Sequence, residues 1–231
     1  MANDIHPTAI IADSVELGDG NVVGPYAVIS GRTVIGDGNW IGPHVAIGMP
    51  PEVYNYEHTA VWNEPEGERF VRIGNGNVLH EFSNVQCGWA TDTVIGNDCF
   101  LMTQAHVAHD CVLDNRVTVS SGVTLGGHTH IWSMANVGMS SVVHQRAQIG
   151  PGAMIGMGSA VRKDAPAFSI TVGNPARTTG INVVGLERNG CDATTIDAMT
   201  DFLLGRGELP ASAPEALREL LTAWADRPTD H

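Results

Sequence analysis

Residues 95–130 read IGNDCF LMTQAH VAHDCV LDNRVT VSSGVT LGGHTH when written in rows of six. Every row opens on Ile, Leu or Val. The series then continues without a miss through Ile131, Val137, Val143, Ile149, Ile155 and Val161. Upstream the same spacing runs from Ile5 through Ile11, Leu17, Val23, Ile29, Ile35 and Ile41 to Ile47, and again through Ile73, Leu79 and Val85. A helix repeats near 3.6 residues and an amphipathic strand near 2, so neither produces this period. The density of glycine and β-branched residues also argues against helix. The spacing predicts a β-solenoid in which each hexad is one short strand plus a turn. One aliphatic side chain per hexad enters a narrow core that only stacked neighbours can close.

The recurring phrases LGDGNV, IGDGNW, IGNGNV and IGPGAM fit the pattern [LIV]-[G/small]-x-x-[small]-x. That pattern resembles the hexapeptide-repeat family, which implies an all-β fold, a left-handed parallel β-helix. In that family three hexads make one triangular coil, so residues 18 apart stack about one strand spacing (~4.8 Å) from each other.

The repeat breaks in informative places. Residues 49–70, MPPEVYNYEHTAVWNEPEGERF, leave the register and read as an external loop, a common place for function on a regular scaffold. A slip of four residues near GWATDT (88–93) reads as a smaller bulge. After Val161 the hexads stop. Beyond Asp192, Ile196, Met199 and Leu203 share one helical face and Leu217, Leu220, Leu221 and Trp224 another, with Pro210 and Pro214 between them. The expected organisation is a β-helix domain over 1–180 and a short helical C-terminal domain over 181–231 that covers the otherwise open last coil.

With 231 residues, 43% hydrophobic and 16% charged, the chain is globular in composition. Its net charge is −13, and Lys163 is its only lysine. That balance argues against nucleic acid and against an anionic membrane surface as partners. No apolar run reaches transmembrane length, and MANDIHPTAI lacks the basic and apolar regions of a signal peptide. Cys87, Cys99, Cys111 and Cys191 have no CxxC pairing and read as free thiols, which points to the cytoplasm.

The coil register gives the histidines different standings. Val107 points inward, so His109 lies near a corner and faces outward; His106, closing the preceding hexad, is expected at another corner. Eighteen residues after His109 comes Gly127, and 36 after it Gln145. His128 lies 18 after Asp110, and His144 lies 18 after Gly126. One patch across three coils thus gathers His109, Asp110, Gly126, Gly127, His128, His144 and Gln145. Its chemistry suits acyl transfer. A neutral His109 takes a proton from an attacking hydroxyl or amine, Asp110 orients the ring, and the Gly127 N–H stabilises a tetrahedral oxyanion. The bland alternative is a set of solvated turn residues.

The motifs IHPTAI, QAHVAHDC, LGGH, VHQ and GINVVGLERNG occur in an order that resembles the UDP-N-acetylglucosamine acyltransferases of lipid A biosynthesis, over nearly the whole chain. The resemblance implies transfer of a 3-hydroxyacyl chain from acyl carrier protein to a sugar hydroxyl. It implies His109 as general base, Asp110 as its partner and Gly127 as oxyanion donor. It assigns His106, His128, His144 and Gln145 to substrate binding, and Asn182 and Arg188 to the nucleotide. It implies a homotrimer with each active site between subunits, and no cofactor beyond the acyl thioester as co-substrate.

Departures from the family pattern fall on the acceptor side. PEVYNY carries Val53 and Asn55 where an acid and a lysine are usual. Val184 replaces an acid, Asn189 an arginine and Gln86 a histidine. A nucleotide-linked sugar other than UDP-N-acetylglucosamine is therefore a candidate acceptor. Met157 stands at the position of a glycine that measures long acyl chains, so a short-to-medium chain is expected. The donor is acyl carrier protein or coenzyme A; Arg146, Arg162, Lys163 and Arg177 are the basic residues available to it. A zinc-dependent lyase of the γ-class carbonic anhydrase kind, with His106, His109 and His128 as ligands, is the alternative, and a non-catalytic scaffold is a third.

Overall fold

The computed structural model describes residues 1–58 and 70–228. Most of the chain winds as a left-handed parallel β-helix. Strands of two to six residues make up three sheets of ten, eight and seven strands. We call these the first, second and third sheets, after the strands Asp4–Ile5, Ile10–Ile11 and Glu16–Leu17 that begin them. Stacked partners are 18 residues apart: His106 pairs with Thr124 and Val112 with His130, both in parallel.

The parallel pairing resumes after each of the two breaks in the repeat. Val78 pairs with Trp40, 38 residues before it, and with Phe100, 22 after it. After each break the strands therefore pair again in the same sheet. Of the external loop expected over 49–70, residues 59–69 lie outside the described residues.

Inward-facing aliphatics form the core. Every hexad residue from Val23 to Val161 is buried. Ile11 and Leu17 are only half-buried and Ile5 is 43% exposed, because no strand among the described residues stacks below the first coil. The asparagines buried inside the coils are paired with one another, as burial demands. Asn77 Nδ2 donates to Asn39 Oδ1 at 3.0 Å, and Asn39 Nδ2 to Asn21 Oδ1 at 2.9 Å.

At the far end a hairpin precedes the helices. Strand Ser169–Gly173 joins the first sheet beside Met154–Ile155, then turns back antiparallel as Ala176–Ile181. Three helices follow: α1 (Val183–Arg188), α2 (Ala193–Leu203) and α3 (Glu215–Ala225). The apolar periodicity foreshadows α2 and α3; α1 and the hairpin lie in the stretch between the two patterns. Met199, Leu217, Leu221 and Trp224 pack with Leu186 and Phe168 in a second apolar cluster. Phe168, wholly buried, is the plug against the last coil. Among the described residues no helix is long and apolar enough to cross a membrane, and the four cysteines are free and buried.

Candidate active site

The corner between the second and third sheets carries His109, Asp110, Gly127, His128, His144 and Gln145 on three successive coils. Asp110, His128 and Arg146 occupy equivalent places in that turn, each with φ near +60°. His128 N–H donates to the His109 carbonyl at 3.1 Å, and Arg146 N–H to the Gly127 carbonyl at 3.0 Å. The stacking reckoned in steps of 18 is the stacking found.

Asp110 is the most elaborately held side chain of the group. Its carboxylate is wholly buried. Oδ2 accepts from His109 Nδ1 at 2.6 Å and lies 3.4 Å from His128 Nε2. Oδ1 accepts three successive backbone N–H groups, from Trp89 at 2.9 Å, Ala90 at 2.8 Å and Thr91 at 2.7 Å. Burial by itself raises the proton affinity of such a group. Here the bonds from His109 and from the Thr91, Trp89 and Ala90 amides outweigh it, and the carboxyl is held below its usual range. The four-residue slip at 88–93 is thus a nest of N–H donors built for one carboxylate. Sequence reading placed a bulge there and missed its purpose, since backbone donors leave no signature in residue types.

The bond to Asp110 sets the imidazole's orientation. With Nδ1 donating to the carboxylate, His109 keeps Nε2 as its free basic nitrogen. The His109 side chain is 15% exposed, so Nε2 has a narrow approach. His128 stands edge-on to it, ring centroids 5.3 Å apart. Burial depresses the His128 pKa, against the opposing pull of Asp110, so this second ring is neutral near pH 7.

Gly127 lies directly against the His109 ring: a Cβ there would sit 2.6 Å from His109 Cε1. The preceding carbonyl, of Gly126, accepts from Thr129 Oγ1 at 2.5 Å and from Cys111 Sγ at 3.2 Å. Both donors are buried residues, so this carbonyl points inward. In a trans peptide the N–H of the next residue points the opposite way. The Gly127 N–H is therefore turned outward, and it meets no acceptor among the described residues.

The other expected site residues are distributed. His106 is not at a corner: it lies in strand His106–Val107 of the second sheet, its side chain on the outer face because Val107 takes the inner one. Burial lowers its pKa, with Glu52 pulling the other way. His144 and Gln145 are exposed and border a cavity of about 610 Å³ together with Arg146, Arg162 and Lys163. Met157, 71% exposed, stands at the corner between the first and second sheets, across the second sheet from His109.

Asn182 and Arg188 are separated from His109 within the chain. They belong to the cap at the corner between the third and first sheets. Asn182 caps α1, accepting from Gly185 N–H at 3.0 Å and donating to the Gly152 carbonyl at 2.9 Å. Arg188 borders a cavity of about 740 Å³ with Arg116, Met134 and Leu217. One chain thus presents two polar surfaces that it does not itself bring together.

Gln86 was noted in the sequence only as a departure. It is buried beside the turn that carries His109, and its Oε1 accepts the His109 N–H at 3.2 Å and the Glu52 N–H at 3.3 Å. The described start of the external loop also returns to the site: Tyr56 packs edge-on to Trp89, centroids 5.8 Å apart.

The ligand atoms of His109, Asp110 and His128 lie within 4.8 Å of one another. This is not the set of three histidines that a zinc lyase would use, because His106 is replaced by a carboxylate already engaged by His109 and three amides.

The sequence profile of the bacterial transferase hexapeptide family (six repeats) matches residues 92–127. That of the UDP N-acetylglucosamine O-acyltransferase, domain 2, matches residues 164–222. An acyl-[acyl-carrier-protein]–UDP-N-acetylglucosamine O-acyltransferase of Paraburkholderia phymatum is 37% identical over 240 residues, covering 96% of this chain and 91% of that protein. A protein of the same name from Burkholderia orbicola is 36% identical over 160 residues, covering 67% of this chain and 61% of its own length. The first Burkholderia relatives are thus matched over 61% of their length. Among solved structures, LpxA from Acinetobacter baumannii superposes with a TM-score of 0.75 at 29% identity, covering 96% of this chain and 94% of that one. These similarities give the zinc-lyase alternative no support.

Proposed function

The chain belongs to the acyl-[acyl-carrier-protein]–UDP-N-acetylglucosamine O-acyltransferase family, and from that premise we propose that it transfers an acyl group from a thioester to a hydroxyl of a nucleotide-linked sugar. The observation that carries the proposal is the His109–Asp110 bond of 2.6 Å, with Gly127 packed on the same ring. Each part of that arrangement has a task in acyl transfer.

In this reading the acceptor hydroxyl lies against His109 Nε2. As its oxygen attacks the thioester carbonyl carbon, Nε2 takes the hydroxyl proton. The imidazolium so formed is stabilised by Asp110, which stays ionised because its N–H nest and His109 favour the charged form. Charge develops on the carbonyl oxygen, where the outward Gly127 N–H serves as donor. Collapse of the tetrahedral intermediate breaks the C–S bond, and the departing thiolate recovers the proton from Nε2. His128, held neutral by burial, and His106 line the approach as substrate-binding groups.

Asn182 and Arg188 contact the nucleotide of a site completed by a neighbouring subunit. The distance of the cap from His109 along the chain's own surface supports an assembly in which two subunits share each site, and we assign a homotrimer. The donor is an acyl carrier protein in preference to coenzyme A. Arg146, Arg162 and Lys163 border one cavity and Arg177 joins the last two at the next, a basic concentration in a chain of net charge −13 that suits an acidic carrier. Met157 limits the acyl chain to short or medium length. Buried free thiols support a reducing, cytoplasmic setting.

The test is direct. Purified protein is incubated with acyl carrier protein or coenzyme A thioesters of graded chain length and a panel of nucleotide sugars, and products are read by mass. An acyl ester on one nucleotide sugar is expected. Absence of transfer to every sugar, with the thioester intact, would refute the assignment.

A further inference from the structure

We propose that Gln86 is a positioning residue that ties the loop beginning at Met49 to the turn carrying His109, so that engagement of an acceptor by the loop is transmitted to the base. The proposal rests on the assignment of His109 as that base. It deepens that assignment by naming what holds the base in place from the acceptor side.

Gln86 closes strand Asn84–Gln86 and is 3% exposed. Its single carboxamide oxygen accepts two backbone N–H groups from different segments, that of His109 and that of Glu52. Because both partners are donors, the oxygen rather than the NH2 group must face them. The ladder is irregular at this point: pairing with the strand Ala46–Met49 shifts between Val85 and Gln86, which sets Gln86 opposite Met49. The Cys87 N–H then donates to the Met49 carbonyl at 2.8 Å. The loop's first residues and the catalytic turn are thereby fixed to one side chain.

Side chains accept the N–H at this hexad position along the corner between the third and first sheets, as Asn97 and Asn115 show, but the corner that carries His109 has no such ladder. On the next two coils the equivalent N–H groups, of Gly127 and Gln145, meet no acceptor among the described residues. At this corner, among the described residues, only the turn bearing His109 has that N–H accepted by a side chain. The tether also lies on the side where the chain departs from its family, at PEVYNY. A displacement of about 1 Å at a catalytic group costs on the order of 10²-fold in rate, so a link of this kind is placed to matter.

Two variants separate positioning from simple filling. Gln86→Met keeps the volume and removes the acceptor. Gln86→Glu keeps the acceptor and adds a negative charge near His109, which raises the ring's proton affinity. The titratable groups already facing that ring are Asp110 on the same turn, His128 on the next coil and His106 on the second sheet, with Glu52 beyond His106.

The full chain is used, with steady-state kinetics and a titration of the His109 ring by nitrogen NMR. Gln86→Met is expected to lower kcat by about 10- to 100-fold and raise KM for the nucleotide sugar, leaving KM for the thioester unchanged. Gln86→Glu is expected to restore most of kcat at alkaline pH and to move the acid limb of kcat/KM and the His109 titration upward together. Wild-type kcat and KM in Gln86→Met, or an unmoved His109 titration in Gln86→Glu, would overturn the proposal. The NMR titration stands whether or not His109 is the base. Failure of the catalytic assignment shows separately, as activity retained in His109→Ala. If Gln86→Met does not fold, Gln86→Glu decides.

Discussion

A methyl group on Gly127 would lie 2.6 Å from Cε1 of His109 and 2.8 Å from its Nε2. Contacts that short force the ring to move, and the ring's place is fixed on its other side by Asp110. The φ of Gly127 is not in the left-handed region, so the glycine is required by this close approach and not by its backbone. Gly127→Ala is expected to fold normally and to lose about 10²-fold in kcat, with a smaller change in KM. A kinetic comparison with matched thermal unfolding curves checks it; unchanged kcat would mean that the ring has room the structure does not provide.

Asp110→Asn removes the charge and keeps the shape. Its amide can still accept the three N–H groups with its oxygen, but can no longer stabilise the imidazolium. A loss of about 10² to 10⁴ in kcat is expected. The stability effect has a defined sign. The Asp110 carboxyl titrates below its unfolded value of about 3.9, so its contribution is fully present above about pH 4. That contribution is lost as pH falls from there through the lowered folded pKa. Acid unfolding of wild type and Asp110→Asn should therefore differ most at neutral pH and converge at low pH. Parallel curves would contradict the nest's role.

Much of this was legible in the sequence, for reasons that particular residues make plain. Val107, Leu125 and Val143 announce the core because a solenoid repeats one environment at a fixed interval, and that interval places Gly127 against His109. Ile5 obeys the pattern yet is exposed, since the pattern records spacing and not whether a coil has a neighbour below it. His106 was set at a corner when it lies in a strand, because the hexad gives the inward residue and not the length of the turn. The N–H nest at 89–91 and the Gln86 tether were invisible for a different reason: backbone donors carry no residue code. Helix α1 was missed because VVGLER, with two valines and a glycine, has poor helix propensity. It forms because Asn182 caps it and Leu186 is buried under it.

The core itself gives a stability prediction. Leu125 is wholly buried, immediately before the Gly126–Gly127 turn. Leu125→Ala should cost about 2–5 kcal/mol, read as a shift in the denaturant midpoint. Activity in the folded fraction should also fall, because the turn that carries Gly127 loses its anchor. A change below about 0.5 kcal/mol, the range of surface substitutions, would mean that the coil is not packed as described.

Met157 supplies a specificity prediction. Its exposed side chain is proposed to close the end of an acyl groove that runs to a neighbouring subunit. Met157→Gly should shift preference toward longer thioesters, by about tenfold in relative kcat/KM for two or more added methylenes. An unchanged chain-length profile would assign Met157 to packing alone.

The central claim is that His109 removes the acceptor proton, and single-turnover acyl transfer in His109→Ala tests it most directly. With saturating thioester and nucleotide sugar, the chemical step should slow by about 10² to 10⁴, while the variant still binds both substrates as wild type does. A His109→Ala protein that transfers the acyl group at the wild-type rate would contradict the account.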